Sequence, residues 1–131
     1  MTEPNKRAAA VSLVENDQGD LLLVWNRRYS GWTLPGGLVE DGEVPIDAQA
    51  RELREETSLE TSSSSLVYSA PTVRVIGDHR GNVVYVFRVA ATGEAREMEH
   101  GCPIMWASRE TFLRICPFRD FYRRMFDVLE R

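Results

Sequence analysis

The sequence predicts an α+β protein, an α/β/α sandwich in which a mixed β-sheet lies between two or three helices. Short runs of Val, Leu and aromatic residues alternate with turn-forming stretches, and two charged segments carry apolar residues at helical spacing. Such strands and one-sided helices stabilise each other only when they are packed in layers. The length of 131 residues suits a single domain, residues 1–131, with one sizeable core.

Four β-rich segments are expected to form strands: residues 7–14, 20–25, 66–76 and 83–90. The turn-forming stretch ENDQGD joins the first two, which predicts a hairpin. Pro71 predicts a bend or an edge position in the third segment, because proline cannot donate to a central ladder. The tetrapeptide IMWA predicts one more short strand, whereas NRRYSGW and ETSSSS are expected to be a loop and a surface connection.

A helix is predicted from Pro45 to Thr57. Proline suits the first helical turn, where its missing N–H is not needed. The apolar residues Ile46, Ala50 and Leu53 recur at i, i+4 and i+7, so we expect them to form the buried face.

The C-terminal part of the sequence predicts two further helices. Ser108 can cap a short helix over SRETFLRI. The stretch FRDFYRRMFDVLER then places four large apolar residues at helical spacing: Phe118, Tyr122, Met125 and Leu129. We interpret this stripe as core-facing and not as part of a cofactor site.

Composition and charge exclude several classes of protein. The net charge of −4 argues against a nonspecific nucleic-acid binder, which needs an excess of Lys and Arg. No apolar run approaches the length needed to cross a bilayer, and no signal peptide is recognised, so we expect a cytoplasmic protein without membrane contact. Cys102 and Cys116 lack a metal-site spacing and are expected to be reduced thiols.

Three carboxylates project from one side of the predicted Pro45–Thr57 helix. Glu52, Glu55 and Glu56 are spaced i+3 and i+4, and Arg51 precedes Glu55 by one turn. Charged stretches of this kind usually form a solvated, salt-bridged surface. Clustered carboxylates on a rigid element also make a site for Mg²⁺ or Mn²⁺. The spacing alone does not decide between these readings.

The residues around the carboxylates resemble the Nudix box, G-x5-E-x7-R-E-U-x-E-E-x-G-U, where U is aliphatic. Gly37 is followed after five residues by Glu43, and after seven more by RELREETSL. One position departs, because Ser58 stands where the family has a glycine that ends the helix in a left-handed conformation. On this pattern the chain is identified as a member of the Nudix hydrolase family.

The resemblance implies the Nudix fold and a metal-dependent hydrolysis of a pyrophosphate linkage. It assigns Glu52 and Glu56 as metal ligands, and the carbonyl of Gly37 as a further ligand. Glu55 is implied to be a ligand or the acceptor of the attacking water's proton. The metal, Mg²⁺ or Mn²⁺, would offset carboxylate repulsion and lower the pKa of a bound water.

The resemblance also implies that Glu43 and Arg51 form a pair that fixes the helix against its preceding loop. Family members often take an additional acid from outside the box. Glu99 and Glu97 are the candidates here, with Glu94 ranked below them. Each also has the alternative interpretation of an exposed acidic loop residue without a function.

Candidate substrate-binding residues follow the second predicted strand. Arg27 and Arg28 can bind a phosphate or a base edge. Trp32 and Tyr29 can stack on a nucleobase, with packing beneath the loop as the alternative.

These residues predict a small-molecule nucleotide as the partner, with no nucleic acid or membrane. The expected reaction is hydrolysis of a nucleoside triphosphate, including oxidised forms, to a monophosphate and pyrophosphate. An ADP-ribose or nucleotide-sugar pyrophosphatase is an alternative, which the absence of an added N-terminal dimerisation segment disfavours. A noncatalytic nucleotide sensor of the same fold is the other alternative. The chain is expected to be a monomer or a homodimer.

Overall fold

The computed structural model describes residues 7–72 and 82–131. The strands within these ranges are β1 (Arg7–Leu13), β2 (Leu21–Asn26), β3 (Gly31–Thr33), β4 (Gly36–Leu38), β5 (Glu60–Pro71), β6 (Asn82–Thr92) and β7 (Ile104–Ala107). The helices are α1 (Pro45–Thr57), α2 (Arg109–Ile115) and α3 (Arg119–Leu129). Within these ranges, none of the helices combines the length and the apolar character that a membrane span requires.

The strands form two sheets. The first has the order β4-β1-β6-β5, with β1 and β6 parallel and the other pairs antiparallel. The second, β3-β2-β7, is antiparallel throughout. The predicted mixed sheet is therefore confirmed, and a smaller sheet lies beside it.

Helices cover opposite sides of the sheets because alternate strand residues point to opposite faces. Ala10 of β1 and Leu22 of β2 belong to a core cluster with Leu53 of α1. Leu13 and Leu23 belong to a second cluster that also holds buried side chains of α2 and α3: Phe112, Phe121, Tyr122, Met125 and Phe126. These two clusters give the predicted α/β/α layers, and the C-terminal stripe faces the core as expected.

The predicted hairpin over residues 7–14 and 20–25 is confirmed only next to its turn, where Glu15 and Leu21 form an antiparallel bridge. The chain does reverse there, with Asn16 accepting backbone N–H groups within the turn and Leu22 N–H donating to the Val14 carbonyl at 3.0 Å. Beyond that point the two strands diverge into different sheets, where each pairs with two other strands. Both strands are buried on both faces, a pattern that does not reveal which strands are neighbours.

Two predicted connections are strands in the structure. The stretch ETSSSS is the first half of β5, which pairs with β6. Serines are tolerated because β5 is an edge strand with much of its surface in water, and Pro71 ends it at that edge, as expected. Gly31 and Trp32 of NRRYSGW, together with the following Thr33, form β3. Residues 73–76 of the predicted third strand lie outside the described residues.

Helix α1 has the predicted bounds but a different buried face. Ile46 is 46% exposed, whereas Ala48, Gln49, Leu53 and Thr57 are buried. The Gln49 amide donates to Ser12 Oγ and Thr61 Oγ1, each at 2.9 Å, which holds the helix in this orientation on the first sheet.

The ends of the helices follow local sequence signals. Ser58 ends α1 in the left-handed conformation, with φ 72°. It thus adopts the backbone conformation that the family's glycine has at this position. Ser108 Oγ accepts the Thr111 N–H and caps α2, as predicted.

Candidate active site

Arg51 joins helix α1 to the loop that precedes it. Its Nε and Nη2 donate to the two oxygens of Glu43 at 2.8 and 3.0 Å, and Nη2 also donates to the Leu38 carbonyl at 3.1 Å. Its Nη1 donates to Glu52 at 2.8 Å and to Glu55 at 3.0 Å. These bonds use all five N–H groups of the guanidinium, so the loop and the helix are held together at one point.

The ion pair between Arg51 and Glu43 shifts both ionisation equilibria. Hydrogen bonds from Arg51, and then the Glu40 N–H, lower the pKa of Glu43 to about 2. Glu43 in turn raises the pKa of Arg51, with a smaller contribution from Glu52. Both groups therefore stay charged at neutral pH.

Three carboxylates line a cleft of about 230 Å³ beside this network: those of Glu52, Glu56 and Glu99. Glu56 accepts the Gly36 N–H at 3.3 Å. Burial raises the pKa of Glu56 well above the ordinary carboxyl value, and its hydrogen bond with Glu52 and the charge of Glu99 add to this shift. The cleft thus gathers negative charge in a partly buried place, which is costly unless a cation or a proton offsets it.

The residues of the cleft fit a hydrated divalent cation. In the described ranges, no three His, Cys, Asp or Glu side chains already converge tightly enough to enclose an ion. Mg²⁺ does not need such a cage, since it takes one or two carboxylates and fills its other positions with water and phosphate oxygens. Gly37 also fits, because a Cβ there would lie 2.7 Å from Glu52 Oε1, so only glycine lets the backbone approach that carboxylate.

Glu55 lies apart from the other two box carboxylates. Its side chain is 50% exposed, against 18% for Glu52, and it does not line the cleft. Its position is set by Arg51. The structure therefore brings Glu52 and Glu56 together with Glu99 and leaves Glu55 at the outer surface of the helix.

An apolar cavity of about 300 Å³ lies next to the cleft. Its aromatic wall comes from the loop after β2 and from the start of α3: Tyr29, Phe118, Phe121 and Tyr122. Tyr29 and Phe118 meet edge to face with ring centroids 4.8 Å apart. The sequence interpretation missed this cavity, because the stripe at Phe118 and Tyr122 has the same spacing whether it only fills a core or also borders an opening.

The predicted substrate-binding residues separate in the structure. Arg27 lines the cleft and Arg28 lines the apolar cavity. Trp32 lines neither space and packs edge to face against Trp25, with ring centroids 5.6 Å apart. This position matches the packing alternative for Trp32.

The remaining candidate acids lie outside both spaces. Glu94 and Glu97 are exposed in the loop after β6 and do not line the cleft, whereas Glu99 of the same loop does. Asn26, Gly36 and Cys102 also line the cleft but were not singled out from the sequence. The position of Asn26, directly before two arginines at the end of a strand, is the one signal that could have drawn attention to it.

A family model for the NUDIX domain matches residues 4–127 of the chain. The chain belongs to the Nudix hydrolase family. The MutT protein from Methanosarcina mazei Go1 has the same fold, with a TM-score of 0.79 at 24% identity and full coverage of both chains. The mixed sheet and the helix that carries the box are thus those of a Nudix domain.

Curated relatives of this Nudix chain carry different activities in their names. An RNA pyrophosphohydrolase from Agrobacterium fabrum is 31% identical over an alignment of 115 residues that covers 71% of this chain and 66% of that protein. An ADP-ribose pyrophosphatase from Methanocaldococcus jannaschii is 39% identical over an alignment of 82 residues that covers 60% of this chain and 46% of that protein. The Nudix chain spans two thirds or less of the length of these relatives.

Proposed function

We propose that the chain hydrolyses a pyrophosphate linkage in a nucleoside diphosphate derivative with the help of Mg²⁺ or Mn²⁺. The substrate class that we propose is a nucleoside triphosphate, including oxidised forms, with a monophosphate and pyrophosphate as products. One observation carries this proposal: the acidic cleft and the aromatic cavity adjoin each other and share Asn26 and Gly36 in their walls. A single nucleotide has both a polyanionic end and a flat apolar end, so it suits this pair of spaces.

The aromatic cavity is the proposed site of the nucleobase. Flat aromatic side chains bind any base through stacking and apolar contact, and a cavity of about 300 Å³ falls within the usual range for small-molecule sites. Arg28 at its edge is an exposed donor for acceptor atoms of the base.

The acidic cleft is the proposed site of the diphosphate. Glu52, Glu56 and the Gly37 carbonyl would hold the cation, with Glu99 as the additional acid of the cleft. When bound, a divalent cation supplies positive charge for the phosphate oxygens and makes water a better nucleophile. Arg27 has no ion-pair partner within the described ranges, so its guanidinium is free to bind a phosphate oxygen.

An ADP-ribose pyrophosphatase is the second candidate. The Methanocaldococcus jannaschii relative, named for that activity, favours it. Like a nucleoside triphosphate, ADP-ribose carries a diphosphate directly after its nucleoside. A second sugar follows that diphosphate. A noncatalytic nucleotide sensor is less well supported, because all the box acids are present.

The test is a substrate panel assayed with Mg²⁺ or Mn²⁺ and identification of the products. It comprises nucleoside triphosphates, oxidised nucleotides, ADP-ribose, nucleotide sugars, dinucleoside polyphosphates and a short RNA with a 5′-triphosphate, which covers the activity named for the Agrobacterium fabrum relative. We expect pyrophosphate release from triphosphates. Turnover of ADP-ribose alone would establish the second candidate instead.

Glu56→Gln serves as the active-site variant and Glu97→Gln as its matched control. The first removes a proposed metal ligand without removing core area, so the fold should persist while metal-dependent turnover falls by about 100-fold or more. The second makes the same change outside the cleft and should keep full turnover. Full activity of Glu56→Gln would contradict the proposed function.

A further inference from the structure

Asn26 occupies the boundary between the two spaces of the site. It is the last residue of β2, and it lines both the acidic cleft and the aromatic cavity. Gly36 is the other described residue that borders both, and it has no side chain to offer. Among the described residues, Asn26 is therefore the residue with a side chain that lines both spaces.

The orientation of the Asn26 amide is fixed by the turn that follows β2. Its Oδ1 accepts the backbone N–H groups of Arg28 at 3.0 Å and Tyr29 at 3.3 Å. Only the oxygen of the amide can accept these bonds, so the assignment of oxygen and nitrogen is chemically determined. The nitrogen Nδ2 makes no hydrogen bond within residues 7–72 and 82–131 and keeps two donors available.

The same turn places the two arginines that follow at different spaces. Arg27 lines the cleft and Arg28 lines the cavity. Asn26 thus stabilises the turn that places one arginine at each space, and its amide nitrogen has no partner among the described residues. A half-buried amide with unused donors at this place is well suited to bind an acceptor oxygen.

We propose that Asn26 is a positioning residue whose Nδ2 donates a hydrogen bond to a substrate oxygen where the nucleoside joins its phosphates. The acceptor is a sugar oxygen or an oxygen of the first phosphate. This inference rests on the proposed function for the identity of the ligand. In this proposal, one hydrogen-bond donor fixes the position of the nucleotide, with its base in the aromatic cavity and its phosphates in the acidic cleft.

The test measures binding by calorimetry, so that it does not depend on turnover. The probes are the α,β-methylene analogues of ATP, GTP, CTP and UTP with Mg²⁺, and inorganic pyrophosphate, which is short enough to occupy the cleft alone. Asn26→Ser keeps a side-chain acceptor for the turn but lacks the amide donors. Asn26→Asp keeps the acceptor geometry and replaces the donors with a second oxygen and a negative charge.

Asn16→Asp is the matched control. Asn16 also accepts two backbone N–H groups, those of Gln18 at 3.0 Å and Asp20 at 2.9 Å, in the turn before β2. It borders neither space. The control therefore repeats the chemical change in an equivalent turn remote from the ligand.

We expect Asn26→Ser to weaken the tightest-binding analogue by about tenfold, the usual effect of one lost hydrogen bond, and Asn26→Asp to weaken it further. Pyrophosphate binding should not change in Asn26→Ser, and Asn16→Asp should bind all probes as the wild type does. In turnover assays, KM for the nucleotide should rise in Asn26→Ser more than kcat falls.

Three outcomes separate the two proposals. Wild-type affinity in Asn26→Ser overturns the inference, as does a loss confined to Asn26→Asp, which charge repulsion alone would explain. Wild-type protein that binds the analogues but hydrolyses no member of the panel contradicts the proposed function, while the predicted affinity losses would still support the role of Asn26. Wild-type protein that binds no analogue and hydrolyses no member of the panel overturns both.

Discussion

Arg51 organises the box at the scale of single residues. A guanidinium offers five N–H groups in a rigid plane, and here each has an acceptor in Glu43, Leu38, Glu52 or Glu55. Lysine has only three donors on a flexible stem and could not hold the loop and both helix carboxylates together. The repulsion within the acidic segment is thus offset in part by an arginine of the same helix, before any metal is considered.

Glu43 should make the stability of the protein depend on pH in the acidic range. Its pKa falls from 4.5 to about 2 through Arg51, so the folded state binds its proton less readily than the unfolded state does. The stabilisation is present above about pH 4.5 and is lost as the pH falls toward 2. We therefore expect Glu43→Gln to be less stable than the wild type at neutral pH, with the difference shrinking on acidification.

Urea unfolding across that pH range measures the effect, and Glu40→Gln is the control. Glu40 lies 3.7 Å from the same guanidinium, but its side chain is 69% exposed. Its replacement should change the free energy of unfolding little at any pH. A Glu43→Gln difference that stays constant down to low pH would contradict the ion-pair explanation.

Glu99 and Glu97 give a second comparison at this scale. Glu99 borders the cleft with Glu52 and Glu56, whereas Glu97, two residues earlier in the same loop, does not. We expect Glu99→Gln to lower kcat by about 100-fold, the lower end for loss of an acid–base group, and Glu97→Gln to leave it unchanged. Equal kcat values for the two variants would show that Glu99 takes no part in the reaction.

Helix α1 shows at the scale of an element how packing selects a face. The sequence offers Ile46, Ala50 and Leu53 as an apolar stripe, but the helix is rotated so that Gln49 and Ala48 are buried with Leu53. The amide of Gln49 has partners on β1 and β5, and this rotation directs Glu52 and Glu56 to the cleft. A prediction of the buried face from apolar residues alone does not take these hydrogen bonds into account.

Alanine substitutions should distinguish the two faces. Leu53 is 0% exposed, so Leu53→Ala should cost about 2–5 kcal/mol through lost burial and a cavity. Ile46→Ala removes a side chain that is 46% exposed and should cost less than about 1 kcal/mol. Chemical denaturation of both variants measures these values. A cost for Ile46→Ala as large as that for Leu53→Ala would show that Ile46 is buried together with Leu53, as the sequence predicted.

At the scale of the whole molecule, the candidate site arises from parts distant in the sequence. The cleft combines α1 with the end of β2 and the loop after β6, and the aromatic cavity adds α3. None of these segments forms a site alone. The two sheets and their helices hold the segments in place, so occupancy of the cleft should be coupled to global stability.

Mg²⁺ should stabilise the fold by binding the native cleft. A ligand at 100 times its Kd adds about 2.7 kcal/mol to the free energy of unfolding. We expect the melting temperature of chelator-treated protein to rise with Mg²⁺, and Glu56→Gln to lose most of this rise because it lacks a proposed ligand. Glu97→Gln should keep it. An equal rise in Glu56→Gln would place the cation elsewhere.

The local sequence was enough to predict the helix that carries the box, its bounds, the cap at Ser108, the strand over residues 104–107 and the family. These features depend on local chemistry: proline at a first turn, a serine cap, apolar spacing and a dense motif. The pairing of the strands, the edge position of the serine stretch and the cavity beside α3 could be established only from the three-dimensional fold. These depend on contacts between distant segments, which residue spacing does not encode. For the same reason the grouping of Glu99 with Glu52 and Glu56, and the place of Asn26 between two spaces, became visible only in the folded chain.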